Sequence, residues 1–171
     1  METFEAIKGR RSVRKYKKEK LLRQDLEKIL GTGIWAPSGS NAQPWQFFVI
    51  DNNELIKKIM VIAPGIFNLP AAMIIVCRDM ERAFSLVGEL GRDVISLMDI
   101  SMASQNMMLE AYDLGIGSCP VRSFGISALK TLLNLPEHIS PELIIALGYP
   151  EEFPPAPERR KLHEVVFWYG N

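Results

Sequence analysis

Five consecutive residues, Arg10-Arg-Ser-Val-Arg14, have the chemistry to hold a phosphate. In an extended segment Arg10, Ser12 and Arg14 point to one face, because side chains alternate. In a helix Arg10 and Arg14 still share a face at i, i+4. Either way two guanidinium groups converge, with a hydroxyl between them if the segment is extended. Paired Arg forks with a Ser donor suit a phosphate monoester, which accepts bidentate charge-assisted bonds. A second basic cluster, Arg159-Arg-Lys161, lies near the far end, and a small-polar loop, Pro37-Ser-Gly-Ser-Asn41-Ala-Gln-Pro-Trp45, lies between the two. Folding can make these distant segments the walls of one anion site. The competing reading is a solvated basic patch or a weak nucleic-acid footprint, since residues 8–20 hold eight of the 20 Lys and Arg and one acid, Glu19.

The whole composition narrows the choice. Twenty basic residues balance 20 acidic ones, which argues against a dedicated DNA- or RNA-binding protein. At 171 residues one domain, 1–171, with a real hydrophobic core is the simplest expectation. Cys77 and Cys119 sit in apolar surroundings, so no disulfide framework and a reduced, cytoplasmic setting are expected. Glu2, Glu5 and Lys8 interrupt any signal-peptide pattern at the start. The longest apolar stretch, residues 69–77, falls far short of the ~20 residues of a membrane span, so no membrane partner is expected.

These residues need elements to position them. Phe4 and Ile7 followed by Gly9 predict a short opening helix. Leu26, Ile29, Leu30 and Ile34 give residues 25–35 a helical period, stopped by Pro37. Residues 45–50 read as a strand, 53–62 as a helix, and 71–77 as a strand apolar on both faces, hence central and covered on both sides. Residues 93–114 form the longest helical candidate. Their apolar residues surround most of the helix, which predicts a central element or a subunit interface. A turn at 115–117 leads into a short extended segment, 126–133 reads as a helix, and 143–147 as a third buried strand ended by Gly148. Pro150, Pro154, Pro155 and Pro157 predict an extended arm, and Val165-Val166-Phe167-Trp168 a closing strand. The interleaved order predicts an α+β fold with a mixed central sheet flanked by helices.

The sequence shows no obvious acid–base engine, and neither histidine sits in a recognisable setting for a Ser-His-Asp triad. No G-x-G-x-x-G follows a strand and no Walker A is present. His138 and His163 lack zinc spacing. Cys119 beside a tight apolar turn reads more readily as a buried residue than as a nucleophile. An anion site without an acid–base engine suits a protein whose cofactor performs the chemistry.

Four motifs, in order along the chain, resemble the nitroreductase family of FMN-dependent oxidoreductases. They are Arg10-Arg-Ser-Val-Arg14, Pro37-Ser-Gly-Ser-Asn41-Ala-Gln-Pro-Trp45, Leu114-Gly-Ile-Gly-Ser-Cys119-Pro-Val-Arg-Ser-Phe124, and Ala146-Leu-Gly-Tyr-Pro150 followed by the proline arm and Arg159-Arg-Lys161. The resemblance implies an α+β fold and a homodimer with two FMN molecules at the interface and an exchanged C-terminal arm. It implies that Arg10 and Ser12 hold the FMN phosphate, that Arg11 lines the mouth of the pocket, and that Arg14 reaches the pyrimidine edge of the ring. Pro37, Ser38, Gly39, Ser40 and Asn41 would line the flavin from the other subunit. Pro120, Val121, Arg122 and Ser123 would run along the ring edge near N5, and Arg159 and Lys161 would close the phosphate pocket, with the choice among residues 159–161 open by one. NAD(P)H would pass hydride to the flavin, which would reduce a small electron acceptor such as a nitroaromatic or quinone. The resemblance also covers specialised reductases or dehydrogenases of one metabolite, and a non-catalytic flavin-binding protein is a further alternative. Two departures bear on the acceptor and not on the flavin: residues 63–92 are compact where relatives carry insertions, and Pro120 stands where close relatives often have an aromatic residue.

Overall fold

A computed structural model of the chain describes residues 1–170. Six helices surround one four-stranded sheet of order β1-β2-β4-β3. The strands are β1 (Trp45–Ile50), β2 (Ala72–Asp79), β3 (Gly117–Val121) and β4 (Ile139–Gly148). The helices are α1 (Thr3–Gly9), α2 (Arg23–Gly33), α3 (Asn53–Ile62), α4 (Met80–Leu90), α5 (Ser96–Asp113) and α6 (Ile126–Leu132).

β2 shows how the sequence produces the layers. Successive side chains of a strand point to opposite faces. Met73, Ile75 and Cys77 therefore join a core under α3 and α6 with Ile56, Ile59 and Leu129. Ala72, Ile74 and Val76 join a second core under α2 and α5 with Leu26, Ile29, Ile100 and Met107. The strand is apolar on both faces because both faces are covered.

The three named strand pairs are all antiparallel. The parallel component is a single bridge from Ser12 to Ser118. It marks where the basic N-terminal segment docks. Val13 N–H donates to the Ser118 carbonyl at 2.9 Å and Lys17 N–H to the Tyr149 carbonyl at 2.9 Å. Residues 10–17 thus run along β3 and the end of β4.

Two features depart from the sequence expectation. Residues 165–168 do not form a strand: a 3-10 turn at Leu162–Glu164 precedes them, and Phe167 and Trp168 are 74% and 88% exposed. A β-rich tail makes a strand only against a free edge, and among the described residues this one pairs with none. The second is α4, which lay unrecognised within residues 63–92. Its N-cap is Asp79, whose side chain accepts the Arg82 N–H at 2.9 Å. An Asp followed by acidic Glu81 in the first turn is the signal that marks it in the sequence. The long helix expected over 93–114 begins as a π-helical turn, Gly91–Ile95, and becomes α-helical at Ser96.

Candidate functional site

The helix α1 ends at Gly9, and Arg10 leaves it with φ −53° and ψ 134°. Residues 10–14 are therefore extended, which settles the choice left open by spacing. Gly9 lets the chain pass close to Tyr112: a β-carbon there would lie 2.2 Å from the Tyr112 hydroxyl and displace that ring. Val13 is buried against Gly117, and Arg10, Arg11, Ser12 and Arg14 line a cavity of about 360 Å³. The opposite wall is the proline arm, through Pro154, Pro155 and Pro157, and ends in Arg159. Two basic clusters 145 residues apart in sequence, from Arg14 to Arg159, share one cavity.

The electrostatics of this cavity are one-sided. Arg10 is pushed below the usual arginine range, first by burial and then by repulsion from Arg11 and Arg159. Among the described residues no carboxylate pairs with Arg10, Arg11, Arg14 or Arg159. The Nε atoms of Arg10 and Arg11 are buried without a hydrogen-bond partner. Buried donors of this kind normally have acceptors. Several cations facing one another with unused donors suit an anion such as a phosphate monoester, so these residues fit the FMN phosphate. Arg11 is partly committed elsewhere, since its Nη1 donates to the carbonyls of Lys8 and Arg10, each at 2.7 Å.

The far cluster separates into distinct parts. Arg159 lines the cavity. Arg160 donates to the Glu164 carbonyl at 2.7 Å and pairs with its carboxylate. Lys161 is exposed, and its backbone N–H is capped by the Glu164 carboxylate at 3.1 Å.

Arg14 also lines a narrow cleft with Tyr16, Gly65, Ile66, Phe67, Asn68, Cys119, Val121 and Ala146. Asn68 Nδ2 donates to the Arg14 carbonyl at 2.8 Å. Burial raises the Cys119 thiol above its usual range, against the pull of Arg14 and Arg10. A buried protonated thiol is a poor nucleophile, which agrees with the reading of Cys119 as a packing residue. Tyr16 and residues 65–68 went unnoticed in the sequence, where no pattern distinguishes them from an ordinary loop.

Pro120 and Val121 end β3, and Arg122 and Ser123 follow it, both exposed. Arg122 lies over the Phe124 ring at 5.2 Å and reaches Glu142 at 3.4 Å. Glu142 is itself buried and held by Arg78 and by Ser140 at 2.7 Å. This polar group inside the sheet was not anticipated, because the sequence separates Arg78 from Glu142 by 64 residues.

Residues 37–41 do not meet the basic cavity through their own anchoring contacts, which run to α5. The Gly39 N–H donates to Asp99 Oδ1 at 3.1 Å, and Gly39 packs on Ile95. Ser40, Asn41 and Gln43 all have left-handed backbone, with φ of 51°, 53° and 49°. Such conformations in non-glycine residues gather at ligand sites. Within this chain the loop and the Arg cluster thus have separate supports. Among the described residues no cluster of His, Cys, Asp and Glu is arranged for a metal, and no helix is long and apolar enough to cross a membrane.

Known proteins are similar to this chain in sequence and in architecture. A protein of Methanothermobacter thermautotrophicus, provisionally named an NADH dehydrogenase/NAD(P)H nitroreductase, is 34% identical over 162 residues, covering 90% of this chain and 80% of that one. The FMN reductase (NADPH) of Bacillus subtilis is 23% identical over 187 residues, covering 96% and 74%. The crystal structure of a nitroreductase family protein from Clostridium difficile 630 superposes with a TM-score of 0.87 at 30% identity, over the full length of both chains. The nitroreductase family model matches residues 7–68 and 61–149. The order of motifs, the sheet they decorate and these matches agree, and the chain belongs to the nitroreductase family.

Proposed function

We propose that residues 1–171 act as one FMN-binding domain that takes hydride from NAD(P)H and reduces a small acceptor, a nitroaromatic or a quinone. The carrying observation is the cavity walled by Arg10, Arg11, Ser12, Arg14 and Arg159, with the Nε donors of Arg10 and Arg11 buried and unpartnered. That wall suits one terminal phosphate, and the chain has no dinucleotide loop, which favours FMN over FAD. The B. subtilis relative named an FMN reductase supports the same assignment.

FMN, when bound, supplies the acceptance and donation of hydride. The chain supplies the rest. Arg10, Ser12 and Arg159 hold the phosphate, and Arg11 stands at the mouth of its pocket. Arg14 lines both the basic cavity and the cleft, which supports a role for its charge at the pyrimidine edge of the ring. There a fixed cation favours the negative charge of the reduced state. Pro120, Val121, Arg122 and Ser123 run along the ring edge near N5, and Lys161, two residues beyond Arg159 on the arm, closes the phosphate pocket with it.

The working unit in this reading is a homodimer. Val94, Leu97, Met98 and Met102 leave an exposed apolar face on and before α5, and Phe167, Trp168 and Tyr169 are exposed on the tail. A partner subunit would cover both, exchange the arm and bring its residues 37–41 to the flavin. The two buried free cysteines support a reducing, cytoplasmic setting.

The test is the absorption spectrum of the purified protein, followed by release and mass determination of the chromophore. Yellow protein yielding FMN, and oxidation of NAD(P)H in the presence of menadione or a nitroaromatic, support the proposal. Colourless protein that takes up no FMN on reconstitution defeats it. Light scattering on the loaded protein reads the dimer.

A further inference from the structure

Asp99 is 2% exposed on α5, among buried Ile100, Ala103 and Ser104. Burial raises its carboxyl above the usual range, and the Gly39 N–H pulls in the opposite direction. Burying a carboxylate is costly, and an apolar side chain of similar size would pack the helix at least as well. Helix packing therefore does not explain this residue; its hydrogen bond to Gly39, 60 residues away in sequence, does.

The loop that Asp99 holds needs holding. Three of its non-glycine residues keep left-handed backbone, which L side chains adopt at a cost. Its internal bonds run from Gln43 N–H to Ser38 Oγ and from Gln43 Nε2 to Asn41 Oδ1, each 3.0 Å. Its far end is tied separately, since Arg82 Nε on α4 donates to the Ala42 carbonyl. The near end rests on Asp99 and on contact with Ile95, whose Cγ2 would lie 2.5 Å from any β-carbon at Gly39. Asn41 and Ala42 N–H also donate to the Ser38 and Gly39 carbonyls at 3.0 and 2.9 Å, and the loop so folded is pinned at both ends, by α4 and α5.

We propose that Asp99 is a positioning residue of the flavin site, which through the Gly39 amide holds residues 37–41 in the shape that meets the ring. The inference rests on the flavin reading above. The acceptor oxygen is what matters, and the negative charge is not required.

The native chain is compared with Asp99→Asn, which keeps an acceptor and loses the charge, and Asp99→Leu, which fills the space and loses both. Hydrogen exchange of the Gly39 amide is followed without flavin, and the FMN dissociation constant is measured by titration. Asp99→Leu should exchange Gly39 at least tenfold faster and bind FMN at least tenfold more weakly, while Asp99→Asn stays close to native in both. Native exchange in Asp99→Leu, native FMN affinity in Asp99→Leu, or Asp99→Asn behaving like Asp99→Leu each overturns the proposal. A native chain that takes up no FMN overturns the functional reading instead, and the exchange experiment still judges the tether. If Asp99→Leu does not fold, Asp99→Ala, which removes the acceptor without adding bulk, takes its place with the same expected losses, and native Gly39 exchange or native FMN affinity there overturns the proposal.

Discussion

Gly117 meets Val13 with no room for a side chain: a β-carbon on Gly117 would lie 2.7 Å from Val13 Cβ. Val13 is 1% exposed, and its N–H is bonded to the carbonyl of Ser118. Val13 Cβ is set by the backbone, so no change of rotamer moves it away, and both γ-methyls lie 2.8 Å from the same position. Gly117→Ala must therefore push residues 10–14 off β3, and with them Arg10 and Arg14. Overpacking of this kind costs about 1–3 kcal/mol. At about 2–4 °C per kcal/mol for a chain of this size, the melting midpoint should fall by several degrees. FMN affinity should fall with it. A thermal melt and a flavin titration check both, and a native midpoint would mean that the segment has room to adapt.

Arg10→Ala separates binding from folding. Losing one charge-assisted hydrogen bond to the phosphate should weaken FMN binding by about 1.5–3 kcal/mol. The flavin-free protein should respond in the other direction. Native Arg10 is disfavoured there by burial and by Arg11 and Arg159, with no carboxylate to offset them. Its removal should leave the flavin-free melting midpoint unchanged or higher. Added inorganic phosphate should stabilise the native chain more than the variant. A flavin-free variant markedly less stable than native would show that Arg10 packs instead of binds.

The strands and most helices were legible because their periods are clean. The double-sided apolar run at β2 announced a central strand, and the residues of α3 gave its bounds, Asn53–Ile62. The segment Arg10-Arg-Ser-Val-Arg14 was legible as a basic cluster by residue type alone, and the fold brings Arg159 to the same cavity. What was not legible depends on distant pairing. Arg78 and Glu142 form a buried pair across β2 and β4, and Asp99 finds Gly39 across the molecule. Neither partner carries a local mark of the other. The closing strand failed for the same reason: β-propensity in residues 165–168 is a statement about an edge, and the residue types do not say which chain supplies that edge.

Cys77 gives the protein a predictable weakness in alkali. It is fully buried on β2, and burial, reinforced by Glu142, pushes its thiol from 9.0 up to about 12. The unfolded chain releases this proton near pH 9 and the folded chain holds it to about pH 12. Above pH 9 the unfolded state thus binds fewer protons, and stability falls as pH rises. The slope from this one group approaches about 1.4 kcal/mol per pH unit. Urea unfolding at pH 8 and pH 10 should show the native chain losing about 1 kcal/mol more than Cys77→Ala over that interval. Equal losses in the two chains would remove Cys77 as the source.

Arg14 lines both the basic cavity and the cleft beside Cys119 and Val121, and its carbonyl is fixed by Asn68. In the proposed arrangement its guanidinium faces the ring edge that gains negative charge on reduction, while Arg10 faces the phosphate. A cation about 4 Å from that charge contributes on the order of 4 kcal/mol at an effective dielectric near 20, and solvent in an exposed cleft reduces this. If about a third survives, the two-electron potential shifts by about 30 mV. Arg14→Ala should therefore lower the flavin reduction potential by tens of millivolts and slow hydride uptake. FMN retention should suffer less than in Arg10→Ala, because the phosphate keeps its own partners. The opposite arrangement, with Arg14 acting only on the phosphate, predicts weaker FMN binding at a native potential. Spectroelectrochemistry on the flavin-loaded variant, set beside its FMN dissociation constant, separates the two: an unchanged potential means that Arg14 does not act at the ring.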